Sequence, residues 1–139
     1  MTTPAGYSGT PLPRKLGIKP GHRVLLDSAP PGFEDDLLVP LPDDVAVTRR
    51  ASRPPYDVVV AFRPDSAALT RHLARDITRI PKDGALWIAW PKRSSGVVTD
   101  ITEDVVRREA LDIGVVDVKV CAIDATWSGL KLVYRTKDR

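Results

Sequence analysis

Residues 115–135 read VVDVKVCAIDATWSGLKLVYR. Two β-branched runs, Val115 to Ile123 and Leu130 to Arg135, are parted only by Asp124 to Gly129 (DATWSG). A connection of hairpin length forces the last two strands to be antiparallel. Upstream lie four more short apolar runs bounded by turn residues: Arg23 to Ser28 (RVLLDS), Val45 to Thr48 (VAVT), Asp57 to Phe62 (DVVVAF) and Ala85 to Trp90 (ALWIAW). Each reads as a strand. The middle runs are apolar on both faces, as strands covered by helices on two sides must be.

Helical periodicity falls between the strands. From Ser66 to Ile80, Leu69, Leu73, Ile77 and Ile80 recur at spacings that line one helical face, and Pro81 with Asp83-Gly84 stops the run. A second helix is expected from about Ile101 to Leu111, with Asp100 as its cap, Glu103 reaching back to the cap N–H, and Gly114 at its end. Shorter helical turns are expected at Leu12 to Leu16 and Phe33 to Val39. Strand, crossover and strand in alternation imply an open, mostly parallel sheet with right-handed connections. After the second strand only RRASRPP, residues 49–55, leads back to Asp57. Fully extended, seven residues reach roughly 23 Å, enough to recross the first strand without a helix. In the topology implied by the resemblance given below, strand two lies beyond strand one, so one strand-helix unit is missing and the predicted strand order is 2-1-3-4-6-5.

Composition bounds the rest. The 139 residues suffice for one domain with one core, with residues 1–12 as an extended arm, and 42% hydrophobic with 28% charged residues is a globular balance. Of 13 prolines, only Pro81 and Pro91 fall after Pro64, so the first half has little room for long helices. A net charge of +3 favours anions mildly without making a nucleic-acid stripe, and nucleic acid is not the partner expected. The lone Cys121 excludes an internal disulfide, and its apolar run makes it a buried thiol. No apolar stretch has the length of a signal peptide or membrane span, so a cytoplasmic protein without membrane contact is expected.

The segments LGIKPGHRVLLDS, DVVVAF, IPKDGALWIAW and ALDIGVVDVKVCAID…WSGLKLVYR, in that order, resemble the S-adenosylmethionine-dependent methyltransferases built on a Rossmann-like sheet. The likeness runs from Lys15 onward and implies an α/β fold of mostly parallel strands closed by an antiparallel C-terminal strand. GYSGTPL, LGIKPG, GALWIAWPK, TDITEDVVR and TWSGLK also resemble a bacterial family of short proteins catalogued as a domain of unknown function. The methyltransferase pattern asks for a glycine-rich turn after strand one and a carboxylate at the end of strand two. This chain has SAPPGF, where Pro30 and Pro31 remove two N–H donors and Gly32 alone is permissive. Its second strand ends in Arg49 and Arg50.

Ligands of such sheets bind beyond the carboxyl ends of the parallel strands, near the reversal of strand order. Residues 28–33, 63–66, 91–102 and 124–129 meet there, and the crevice between strands one and three is the expected site. WPKRSSGVVTDIT supplies Lys92, Ser94, Ser95 and Gly96 in a basic, hydroxyl-bearing turn able to hold a phosphate or carboxylate. Ser28, Gly32, Phe33, Arg63 and Asp100 are further ligand-binding candidates, and Trp90 with Trp127 could form an aromatic shelf, although tryptophans at a core rim more often pack. His72 can pair with Asp76, and Arg71, Arg75 and Arg79 recur as a solvated helical face. No catalytic residue and no metal ligand set is expected, since neither His22 nor His72 has a companion at usable spacing. The reading these features favour is a binding or regulatory module for a protein partner or small anionic ligand, without a cofactor, in which Phe33 plugs the adenosine site. The alternatives are a divergent S-adenosylmethionine-dependent methyltransferase and a nucleic-acid-binding protein.

Overall fold

A computed structural model describes residues 10–139; the GYSG part of the quoted GYSGTPL and most of the expected N-terminal arm lie outside it. In chain order the elements are α1 (Leu12–Lys15), β1 (Arg23–Asp27), α2 (Phe33–Leu37), β2 (Ala46–Thr48), β3 (Val58–Phe62), α3 (Ser66–Ile77), β4 (Ala85–Pro91), α4 (Glu103–Asp112), β5 (Val115–Ala122) and β6 (Trp127–Tyr134). The six strands form one sheet in the order β2-β1-β3-β4-β6-β5, as expected. β1 to β4 are parallel, and β6 runs antiparallel to both β4 and β5.

Alternation along the strands divides the core into two layers. On one face Leu25, Val59, Ala61, Leu86, Ile88, Leu130 and Leu132 meet Leu69, Leu73 and Ile77 of α3 and Val106 and Ala110 of α4. On the other, Val24, Leu26, Val60, Phe62 and Trp87 meet Leu12, Leu16, Phe33 and Leu38. Each large side chain buried in this way contributes roughly 1.5–3 kcal/mol. β3 and β4 are buried at every residue, which accounts for their unbroken apolar sequences. Gly129 is the close approach that lets β6 lie against the second layer. A Cβ there would stand 2.9 Å from Ile123 Cδ1 and 3.2 Å from Trp87 Cε3.

The missing strand-helix unit is replaced by a short polar cover. Tyr56 is buried, its hydroxyl accepts the Ser52 N–H at 2.7 Å, and the Arg23 guanidinium lies 4.4 Å from its ring centroid. Arg23 also donates to the carbonyls of Arg53 and Pro55, which holds the recrossing segment on the flank of β1.

Several expected boundaries shift. α3 stops at Ile77, although Ile80 is still buried, and α4 begins at Glu103 with Thr102 as its cap. Asp100 does not cap α4. Its carboxylate accepts the N–H and O–H of Ser66, 2.7 and 2.5 Å away, at the start of α3. Glu103 pairs forward with Arg107 instead of reaching back. β6 starts at Trp127, three residues earlier than expected, because the Asp124 carboxylate accepts the N–H groups of Thr126 and Trp127 and tightens the turn.

Candidate functional site

At the carboxyl edge of the parallel strands, the ends of β1 and β3 are filled. Ser28 (φ +61°) and Gly32 (φ +77°) turn the chain so that Phe33 enters the second core layer, 2% exposed. Its ring stands edge-on to Phe62 with centroids 5.0 Å apart, and Phe62 meets Trp127 in the same way at 5.0 Å. Arg49 fastens the loop from outside: it binds both oxygens of Glu34 at 2.8 Å and donates to the carbonyls of Ala29 and Pro30. That clasp holds the Glu34 carboxyl down at about 2. Arg49 is thereby committed to the loop.

On the opposite face of β1 and β3, Arg63 points inward. It is 2% exposed, lies 2.6 Å from an oxygen of the fully buried Asp76 and 3.4 Å from Asp27. Arg75 and Arg79 close on the same two carboxylates, with Arg79 2.8 Å from Asp27. Burial works to raise the Asp27 carboxyl, but hydrogen bonds from Arg63 and Arg79 outweigh it and hold the group well below the usual carboxylate range. Two expectations are corrected here. Asp76 pairs with arginines and not with His72, and the arginine row of α3 is partly folded onto buried carboxylates instead of lying wholly in solvent.

Open space lies further along the edge, beside β4. Trp90 ends the buried part of β4, and the chain turns through a 3₁₀ segment, Arg93–Ser95, that closes at Gly96 with φ +81°. The Lys92 N–H donates to the Thr126 carbonyl at 2.7 Å, tying the turn to the β5-β6 hairpin. Residues 97–102 then cross to α4. Together they bound an open cleft of about 870 Å³. Of the predicted residues, Trp90, Lys92, Ser94, Gly96 and Asp100 line it. Ser95 spends its hydroxyl within the turn, donating to the Lys92 carbonyl and accepting from the Val97 N–H.

Trp127 falls on the wrong face for a shelf. In the β4-β6 register Trp90 stands opposite Ser128, and Trp127 opposite Pro91. Trp90 therefore joins the layer of α3 and α4, while Trp127 packs on the other side. Ser128, Val97, Val98 and Glu103 also line the cleft; the first three lie in segments expected at this edge but were not singled out. The signal for Ser128 was the parity of β6, which cannot be read until the tip of the hairpin is known. Asp100 stays ionised, because the two Ser66 donors hold its carboxyl below the ordinary range. The cleft thus offers ammonium, guanidinium, carboxylate, hydroxyl and an indole edge within one concavity.

The described chain has the fold of known methyltransferases. Magnesium protoporphyrin IX methyltransferase (ChlM) from Synechocystis PCC 6803, with SAH bound, superposes at a TM-score of 0.57 and 11% identity, covering 84% of this chain and 75% of that one. The O-methyltransferase NcsB1 from neocarzinostatin biosynthesis, in complex with S-adenosylmethionine and 2-hydroxy-5-methyl naphthoic acid, gives 0.62 and 10%, covering 83% and 49%. TrmN from Thermus thermophilus gives 0.55 and 14%, covering 89% and 47%. The fold is Rossmann-like and methyltransferase-like. The chain spans between about half and three quarters of these neighbours' lengths. It matches no protein-family model and no curated protein sequence.

The expectation of no cofactor is corrected by these likenesses, since neighbours of the same fold hold S-adenosylmethionine or S-adenosylhomocysteine. The non-catalytic module draws no support from them. That expectation had rested on two departures from the methyltransferase pattern, SAPPGF after strand one and Arg49 and Arg50 at the end of strand two. The loop after β1 is filled by Phe33 and held by the Arg49 clasp, whereas the cleft beside β4 stands open.

Proposed function

We propose that this protein is a divergent S-adenosylmethionine-dependent methyltransferase whose cofactor occupies the cleft beside β4. The single observation that carries the reading is this roomy cleft, lined by groups of both signs, at the carboxyl edge of a methyltransferase-like sheet. Lys92 and Arg93 supply cations for the cofactor's carboxylate. Asp100 and Glu103 supply anions for its ammonium and sulfonium, and Trp90 with Val97 offers apolar surface to the adenine. The cofactor would bring an activated methyl group; the chain's part is to orient it and exclude water.

Thermal unfolding with S-adenosylhomocysteine tests this. At 100 times its dissociation constant the ligand adds about 2.7 kcal/mol, a rise of several degrees for a domain of this size. Ser94→Trp, which fills the cleft from an exposed turn residue, abolishes the rise. Phe33→Ala lowers the midpoint of the protein alone by the roughly 3–5 kcal/mol of a large-to-small core change and leaves the ligand-induced rise in place. A cooperative melt that S-adenosylhomocysteine does not move would overturn the assignment.

A further inference from the structure

The sheet face opposite α3 and α4 carries a row of lysines. Leu130 and Leu132 point into the layer of α3 and α4, so Lys131 between them projects to the other side. Directly opposite it in the β5-β6 register stands Lys119, and a Cβ on Gly17, just after α1, would lie 3.9 Å from the Lys131 Nζ. Lys19 continues the row over β4, where it shares a hollow of about 250 Å³ with Lys131, His22 and Ala85. Asp57 and Asp83 line the same hollow, and Asp57 already accepts the Arg23 N–H at 2.8 Å.

Among the described residues Lys19, Lys119 and Lys131 form no ion pair. Burial, with Lys119 and Lys19 adding to it, pushes the Lys131 ammonium below its ordinary value. Like charges directly opposite on neighbouring strands are destabilising. Lys119 and Lys131 keep such a pair with no ion-paired carboxylate on either among the described residues, which suits the pair to negative charge from outside.

We propose that this face binds the phosphate backbone of a single-stranded nucleic acid, through Lys19, Lys131 and Lys119 lying across β4, β6 and β5. The direction of the row selects this partner over an acidic peptide. A peptide strand pairing along the exposed edge of β5 would run parallel to that strand and miss Lys19 and Lys131. A flexible phosphodiester chain lying across the strands meets all three ammonium groups. Net charge of +3 gives no hint of it, because the counterbalancing carboxylates sit on other surfaces, such as Glu103 and Asp104 against Arg107.

The test is fluorescence anisotropy of a labelled oligouridine 12-mer from 50 to 200 mM salt, without any S-adenosyl compound, so the result is independent of the methyl-transfer reading. With three phosphates neutralised, the logarithm of the binding constant falls against log salt with a slope of about −2, from about 0.7 per phosphate on single strands. Lys19→Gln with Lys119→Gln, both on exposed side chains, reduces the slope to about −0.7 and weakens binding at least tenfold at 50 mM. Arg71→Gln with Arg108→Gln, the same loss of charge on the helical face, leaves the affinity within about twofold. Absence of binding at 50 mM salt, equal loss in both double variants, or competition by polyglutamate as effective as by unlabelled RNA would each refute the proposal.

Discussion

Arg63 carries a full charge into the core, where its Nη atoms meet Asp76 and Asp27 while its Nε is buried without a partner. Charge burial on this scale is tolerable only when paired, since breaking a buried pair from one side costs about 3–5 kcal/mol. Arg63→Met should fall toward the lower end of that range in urea unfolding, because Arg75 and Arg79 remain within 3.6 Å of Asp76. Adding Asp76→Leu should restore much of the loss, as no buried anion is then left alone. A single variant as stable as the parent would show that the network contributes nothing to stability. Nothing in the local sequence marks Arg63 as buried. It follows β3 as an ordinary strand-end arginine, and only the return of α3 brings Asp76 beneath it.

At the scale of elements, the two helices on one face are tied together through their first turns. Asp65 caps α3 by accepting the Ala68 N–H, Asp100 reaches across from the loop before α4 to Ser66, and Thr102 caps α4 by accepting the Val105 N–H. The TDITE segment contains two possible caps two residues apart, and sequence alone does not rank them. The structure assigns Thr102 to its own helix and Asp100 to a neighbour. Thr102→Ala should cost about 1 kcal/mol and expose the first amides of α4 to hydrogen exchange. Asp100→Ala should instead accelerate exchange at Ser66 and leave α4 protected. Faster exchange in α4 on loss of Asp100 would mean that the local cap reading was right after all.

The whole molecule should be acid-sensitive in a defined window. Asp27 and Glu34 both have folded carboxyls depressed below their unfolded values, Glu34 to about 2. A depressed carboxylate stabilises the fold above its unfolded value and loses that contribution as pH falls through its folded one. Stability is therefore expected to be level above about pH 5 and to decline toward pH 2. Urea midpoints measured across that range should show the decline, and Asp27→Asn should flatten it; an unchanged slope would remove Asp27 as its source. Strand identity and the antiparallel ending were legible beforehand, because they follow from β-branched runs and hairpin length, both local properties of the chain, whereas strand order came from the topology of the fold that the chain resembles. The lost strand-helix unit was legible against that topology, since 49–55 is simply too short to hold it. The site was legible only in part. Lys92, Ser94 and Gly96 declared themselves as a turn after a strand and Phe33 as a residue that folds inward after strand one, whereas Ser128 depended on where the hairpin turns and the burial of Arg63 on what packs over it. Local sequence determined which segments are strands and helices and how far the chain can reach between them. Tertiary packing alone decided which strand ends are filled and which stand open, because a cleft is space left between elements distant in sequence and no single segment encodes it.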